Sequence, residues 1–131
     1  RDGYGIRCLL TSDIEVAIIT GRNAKLLEDR AKTLGIRHLY QGQSDKLLAF
    51  RELLDTLSLR AEEVAYIGDD LIDWPVMAEV GLSVAVQDAH PILLPKAHYV
   101  TRIAGGRGAL RDPARNPAMP MSCRLRSARS A

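Results

Sequence analysis

Three carboxylates, Asp69, Asp70 and Asp73, crowd into the run Gly68-Asp69-Asp70-Leu71-Ile72-Asp73, directly after the apolar stretch Val64-Ala65-Tyr66-Ile67. Acids gathered where a buried strand ends need a compensating partner, and a hard cation such as Mg²⁺ is the usual one. Two other segments carry complementary groups. Thr20-Gly21-Arg22 follows the apolar run Val16 to Ile19, and Gln41-Gly42-Gln43-Ser44-Asp45-Lys46 leads into a helix with Lys46 in its first turn. A hydroxyl, a lysine and a metal-binding acid cluster make a receptor for a phosphoryl group. The lysine and the metal neutralise its charge, while the hydroxyl and the glycine-rich backbone donate hydrogen bonds.

Those groups can meet only if the intervening elements bring them to one edge. Val16-Ala17-Ile18-Ile19-Thr20 is a continuous apolar run ending in a polar residue, the pattern of a strand buried on both faces. Ala24 to Leu34 reads as a helix with Leu26, Leu27, Ala31 and Leu34 along one side, stopped by Gly35. A short strand over Ile36 to Tyr40 follows, then a helix capped by Ser44 and running to Leu57, with Leu47, Phe50, Leu54 and Leu57 apolar. Val64 to Ile67 and Leu82 to Val86 are further strands, separated by a short helix from Pro75 to Val80 that Gly81 closes; Tyr99-Val100 is an edge strand. Repeated strand-helix-strand units predict an α/β fold, a Rossmann-like three-layer sandwich around a mostly parallel sheet. In such sheets ligands lie beyond the carboxyl ends of the strands, where all three polar segments fall.

Composition narrows the classes. With 131 residues, 47% hydrophobic and 26% charged, the chain supports one domain with a real core, built mainly from Leu, Ile, Val and Ala. Residues 113–131 hold Arg115, Arg124, Arg126 and Arg129 and no acid. Without these four, the 18 basic residues fall to 14 against 16 acids, so the body is weakly acidic and has no nucleic-acid-binding stripe. That segment also contains Pro113, Pro117 and Pro120 and reads as a disordered basic tail. Cys8 and Cys123 lack paired-ligand spacing, which argues against a disulfide framework or a zinc site. No apolar run reaches membrane-spanning length and nothing at the start resembles a signal peptide, so a cytoplasmic protein is the default expectation.

The segment Val16 to Arg22, then Lys46, then Gly68 to Asp73 resembles motifs two, three and four of the haloacid-dehalogenase-like phosphatases. Five further runs narrow the resemblance to the branch acting on 3-deoxy-D-manno-octulosonate 8-phosphate (KDO 8-phosphate). They are Asp2-Gly3-Tyr4-Gly5-Ile6, His38-Leu39-Tyr40-Gln41-Gly42, Asp73-Trp74-Pro75-Val76-Met77, Asp88-Ala89-His90-Pro91 and Gly105-Gly106-Arg107-Gly108-Ala109. The resemblance covers residues 1–112. It implies Mg²⁺-dependent hydrolysis of a small phosphorylated sugar acid in lipopolysaccharide-precursor synthesis, by a homotetramer. Asp69 would ligate Mg²⁺, with Asp70 and Asp73 as further ligands or as groups that orient it. Thr20 would bond a phosphoryl oxygen, and Lys46 would offset the charge of a phosphoaspartyl intermediate. Gly21, Arg22, Arg107 and Arg111 would contact substrate.

The chain also departs from the family pattern. Family members carry an Asp-x-Asp motif at the end of their first strand, whose first aspartate attacks phosphorus; nothing here matches it, since Asp2 is followed by Gly3 and Tyr4, and Asp13-Ile14-Glu15 precedes a strand. Residues 1–112 therefore read as an incomplete domain lacking the family's first strand and following hairpin, with two sheet edges exposed, assembly in doubt, and a divergent end resembling a shifted reading frame. Three functions stay open: the KDO 8-phosphate phosphatase, impaired by the missing motif; a phosphatase of another acidic sugar phosphate, such as a sialic-type 9-phosphate; and an inactive remnant. Taken singly, the acids read equally as caps of the turn near Pro75, Thr20 as a strand-end residue, and Lys46 and Arg22 as solvated side chains. His38, His90 and His98 lack ligand spacing and read as structural or exposed, Trp74 as packing, and Cys8 as a small core residue.

Overall fold

The computed structural model describes residues 2–102. Arg107, Arg111, the glycines around them and the basic tail lie outside the described residues. The element order is α1 (Asp2–Thr11), β1 (Ala17–Ile19), α2 (Lys25–Leu34), β2 (His38–Tyr40), α3 (Lys46–Leu57), a 3₁₀ turn (Ala61–Glu63), β3 (Ala65–Gly68), a second 3₁₀ turn (Leu71–Asp73), α4 (Trp74–Met77), β4 (Leu82–Ala85) and β5 (Tyr99–Val100). Every strand pair is parallel. The strands form two sheets, β1–β2 and β3–β4–β5, where a single sheet is expected from the sequence.

The edges of β1 and β3 border a cavity of about 340 Å³, lined by Ala17, Ile18, Ile19, Ala65, Tyr66 and Ile67 among others. Among the described residues, neither of these two edges has a hydrogen-bonded strand partner. Side chains alternate across the strands, as a sheet covered on both faces requires. Ile18 packs with Ile6, Ala31 and Ile36 against α1 and α2, while Ile19 joins Phe50, Val76 and Val80 on the α3 and α4 side. A third cluster, Met77, Ala85, Val86, Ala89 and Leu93, closes the far side of the β3 sheet.

The helices are set by local rules. Gly35 ends α2 with φ 82°, and its N–H bonds the Ala31 and Lys32 carbonyls, a left-handed stop that a residue without Cβ adopts at no steric cost. Leu26, placed on the buried side of α2 by its apolar character, is 82% exposed. The face that packs is Leu27, Ala31 and Leu34, spaced i, i+4, i+7, and Leu26 lies about 100° off that line. Ser44 does not cap α3; Asp45 does, its Oδ1 accepting from Leu48 N at 3.2 Å. Asp45→Ala should cost about 1 kcal/mol of stability, read as a lowered urea midpoint with an unchanged slope.

Four other expectations need revision or are met in detail. Cys8 is exposed on α1 and not in the core, because the segment preceding β1 folds as a helix and turns that position to solvent. Gly81 does not terminate α4, which ends at Met77; it sits where the chain passes closest to the first 3₁₀ turn. Each histidine has a local partner: His98 Nδ1 accepts from Ser83 N at 2.9 Å, His90 Nδ1 accepts from Ile92 N at 3.2 Å, and His38 Nε2 lies 3.5 Å from Glu15 Oε2. Trp74 packs against the Met77 cluster, with Lys96 Nζ 5.1 Å from its ring centre.

Candidate functional site

The carboxyl ends of β1 and β2 are laced together by the loops that follow them. Thr20 N donates to Tyr40 O at 2.9 Å, Gln43 N to Thr20 O at 3.0 Å, and Gly42 N to Arg22 O at 3.0 Å. Gln41 Oε1 accepts from Ala24 N at 2.9 Å and serves the start of α2 in place of a side-chain cap on Ala24 itself. Thr20 Oγ1 accepts from Arg22 N at 3.1 Å, which folds the loop back over the strand end. A hydroxyl used once as acceptor still carries a donor proton, the property a phosphoryl oxygen needs. Gly21 and Arg22 are both exposed on this loop.

The loop after β3 is held from the other side. Gly68 O accepts from Val86 N at 3.3 Å, and Asp69 O from His90 N at 2.9 Å. A Cβ at Gly68 would lie 2.7 Å from Asp73 Cβ and 2.8 Å from Met77 Sδ, so the acidic run begins with glycine because Asp73 packs directly on that backbone.

The three acids do not share one task. Asp73 is buried, 2% exposed, and both its oxygens are engaged. Its Oδ1 accepts from Lys46 Nζ at 2.7 Å and from Tyr66 Oη at 2.7 Å. Its Oδ2 accepts from Asp69 N at 3.1 Å and Asp70 N at 3.2 Å. Asp70 caps the second 3₁₀ turn, its Oδ1 accepting from Leu71 N at 2.7 Å. Among the described residues no group of three or more His, Cys, Asp or Glu is placed to hold a metal ion. The three acids are differently engaged: Asp73 braces the loop and the lysine, Asp70 caps the turn, and Asp69 is an exposed acid between β3 and that turn.

Charge follows this geometry. Burial alone would raise the Asp73 carboxyl, but hydrogen bonds from Lys46, Tyr66 and the Asp69 N–H hold it below the ordinary carboxylate range. Asp69 is pushed the other way, by partial burial first and then by the neighbouring Asp73 carboxylate, with Lys46 opposing. Burial, then the bond to Asp73, drives the Tyr66 phenol far above its usual value, so it stays a proton donor. Two crowded carboxylates beside one lysine form a donor set that a divalent cation at Asp69 would relieve.

Tyr66 is the site residue that composition and spacing pass over, since it stands inside an apolar strand. The available signal is chemical: a phenol in a strand covered on both faces must find a partner for its O–H.

The sequence profile of the haloacid dehalogenase-like hydrolases matches residues 36–108. The chain is 82% identical over 112 residues to 3-deoxy-D-manno-octulosonate 8-phosphate phosphatase of Yersinia pestis, covering 86% of this chain and 60% of that one. It is 76% identical over the same length to the enzyme of that name from Escherichia coli K12, with the same coverage. The chain thus spans about three fifths of the length of these relatives. Among solved structures, the Yersinia pestis phosphatase superposes with a TM-score of 0.83 at 83% identity, over 84% of this chain and 60% of that chain. The Moraxella catarrhalis phosphatase, solved with magnesium, phosphate and KDO, superposes with a TM-score of 0.83 at 41% identity, over 86% of this chain and 64% of that chain.

Proposed function

The chain belongs to the haloacid dehalogenase-like hydrolases, and from that premise we propose that its crevice holds the phosphoryl group of 3-deoxy-D-manno-octulosonate 8-phosphate for Mg²⁺-dependent hydrolysis to the sugar acid and phosphate. The observation that carries the reading is Lys46 Nζ, fixed 2.7 Å from buried Asp73 beside the carboxyl end of β3. The substrate rests on the 82% identity over 112 residues to the Yersinia pestis phosphatase.

In this reading Lys46 sets a fixed positive charge against the phosphoryl oxygens, and its ammonium has two protons beyond the one given to Asp73. Thr20 donates its hydroxyl proton to the same group, with Gly21 and Arg22 on the adjoining loop. Asp69 would contribute one carboxylate to Mg²⁺, Asp70 and Asp73 fix the loop that carries it, and Arg107 and Arg111 are assigned to the sugar acid by family resemblance alone. Mg²⁺, when bound, stabilises negative charge on the phosphoryl oxygens. Covalent attack is assigned to none of these residues, because the family's Asp-x-Asp motif has no match in the sequence.

Phosphate release from KDO 8-phosphate would be measured for the chain alone and for the chain joined to an N-terminal segment bearing an Asp-x-Asp motif. Activity is expected only with that segment and Mg²⁺, and Asp69→Ala should lower it by at least ~100-fold, since even indirect metal partners are worth 10–100-fold. Motif-bearing protein indifferent to Asp69→Ala would overturn the site. Faster turnover of a sialic-type 9-phosphate would overturn the substrate.

A further inference from the structure

Asp73 receives four donors from four residues, and two of them share Oδ1: Lys46 Nζ and Tyr66 Oη, each at 2.7 Å. The other two, Asp69 N and Asp70 N, hold Oδ2 at 3.1 and 3.2 Å. A carboxylate gripped at both oxygens cannot turn without breaking bonds on each side. The Tyr66 side chain is itself held in place, packed against both the Phe50, Val76 and Val80 cluster and the Met77 cluster. Its hydroxyl is therefore a fixed point on a rigid strand, whereas Lys46 is a flexible four-carbon arm that is otherwise spread over several rotamers. Sharing one oxygen with Tyr66 also sets the direction from which the ammonium approaches it.

We infer that Tyr66 is a positioning residue: acting through Asp73, it fixes where the Lys46 ammonium meets a phosphoryl oxygen. The inference deepens the proposed function and rests on its reading of the crevice as a phosphoryl site.

Binding of inorganic phosphate in Mg²⁺ buffer, measured by calorimetry, tests it without requiring turnover. Four forms of the full chain are compared: the unaltered chain, Tyr66→Phe, Lys46→Gln and the double variant. Tyr66→Phe keeps the ring and its packing, and Lys46→Gln keeps an N–H for Asp73 while removing the charge. Tyr66→Phe should weaken phosphate binding ~5–10-fold in the native background and leave it unchanged where Lys46 is already Gln. A purely structural tyrosine would weaken binding equally in both backgrounds, and that result overturns the inference. So does native affinity in Tyr66→Phe alongside weakened Lys46→Gln, or a Tyr66→Phe chain that no longer folds. If the unaltered chain binds no phosphate, or Lys46→Gln binds as tightly, the phosphoryl-site reading itself fails and takes the inference with it.

Discussion

Lys46→Met should lower the stability of the chain by about 3 kcal/mol at pH 7, the low end of what removing one partner from a buried ion pair does. The side chains of Lys46 and Asp73 are 11% and 3% exposed, so water cannot replace the lost ammonium. Methionine fills a similar volume, which confines the effect to charge. Tyr66 and the two loop N–H groups remain on Asp73 and keep the loss from being larger.

The pH dependence has a definite sign. Asp73 in the folded chain is held below its ordinary value of 3.8, so its contribution to stability is present above that value and is lost as pH falls through the lower folded one. Without Lys46 that depression shrinks. Lys46 also opposes the rise at Asp69, so its removal leaves two crowded carboxylates with less compensation at neutral pH. The deficit of Lys46→Met should be greatest near pH 7 and narrow in acid. Urea unfolding at pH 7 and near pH 3.5 measures both, and an equal deficit at the two would show that packing rather than charge is at stake.

Gly81→Ala should be as damaging for a purely steric reason. A methyl group there would lie 2.0 Å from the Glu62 carbonyl oxygen, 2.8 Å from its carbon and 3.1 Å from its Cα. These are backbone atoms, and no side-chain rotation moves them aside. The close approach also carries bonds: Gly81 N donates to Ala61 O at 3.1 Å and Leu82 N to Val64 O at 3.3 Å. Pushing the 3₁₀ turn away would open the start of the β3–β4 ladder. A loss of about 3 kcal/mol is expected, at the upper end of overpacking effects, which lowers Tm by ~12–20 °C in a domain of this size. Gly21→Ala is the control, because the nearest atom its methyl would meet is 3.6 Å away. Similar melting of both variants would remove the steric account.

Much of this molecule is written locally. Continuous apolar runs at Val16 to Ile19, Val64 to Ile67 and Leu82 to Val86, separated by helical periodicity, are enough to predict an α/β fold with parallel strands. The position of Thr20, Lys46 and Asp69 follows from it, because strand ends and helix starts alternate along one edge. The stop at Gly35 and the strand at Tyr99-Val100 are equally readable, each depending only on neighbours in sequence.

What the chain alone left undecided are matters of which group arrives from a distance. Asp69, Asp70 and Asp73 are chemically equivalent in sequence, and their separate tasks follow from a lysine 27 residues away and a phenol seven residues away reaching one of them. Leu26 and Cys8 are apolar by type, yet both are exposed, because among the described residues the helices pack through their other faces. Residue type and spacing thus determined the fold class, the placement of Thr20 and Asp69 just after strands, and that of Lys46 at a helix start. Only tertiary structure decided that Asp73 is the buried brace, because a charge buried among apolar layers is stable only where several donors converge on it.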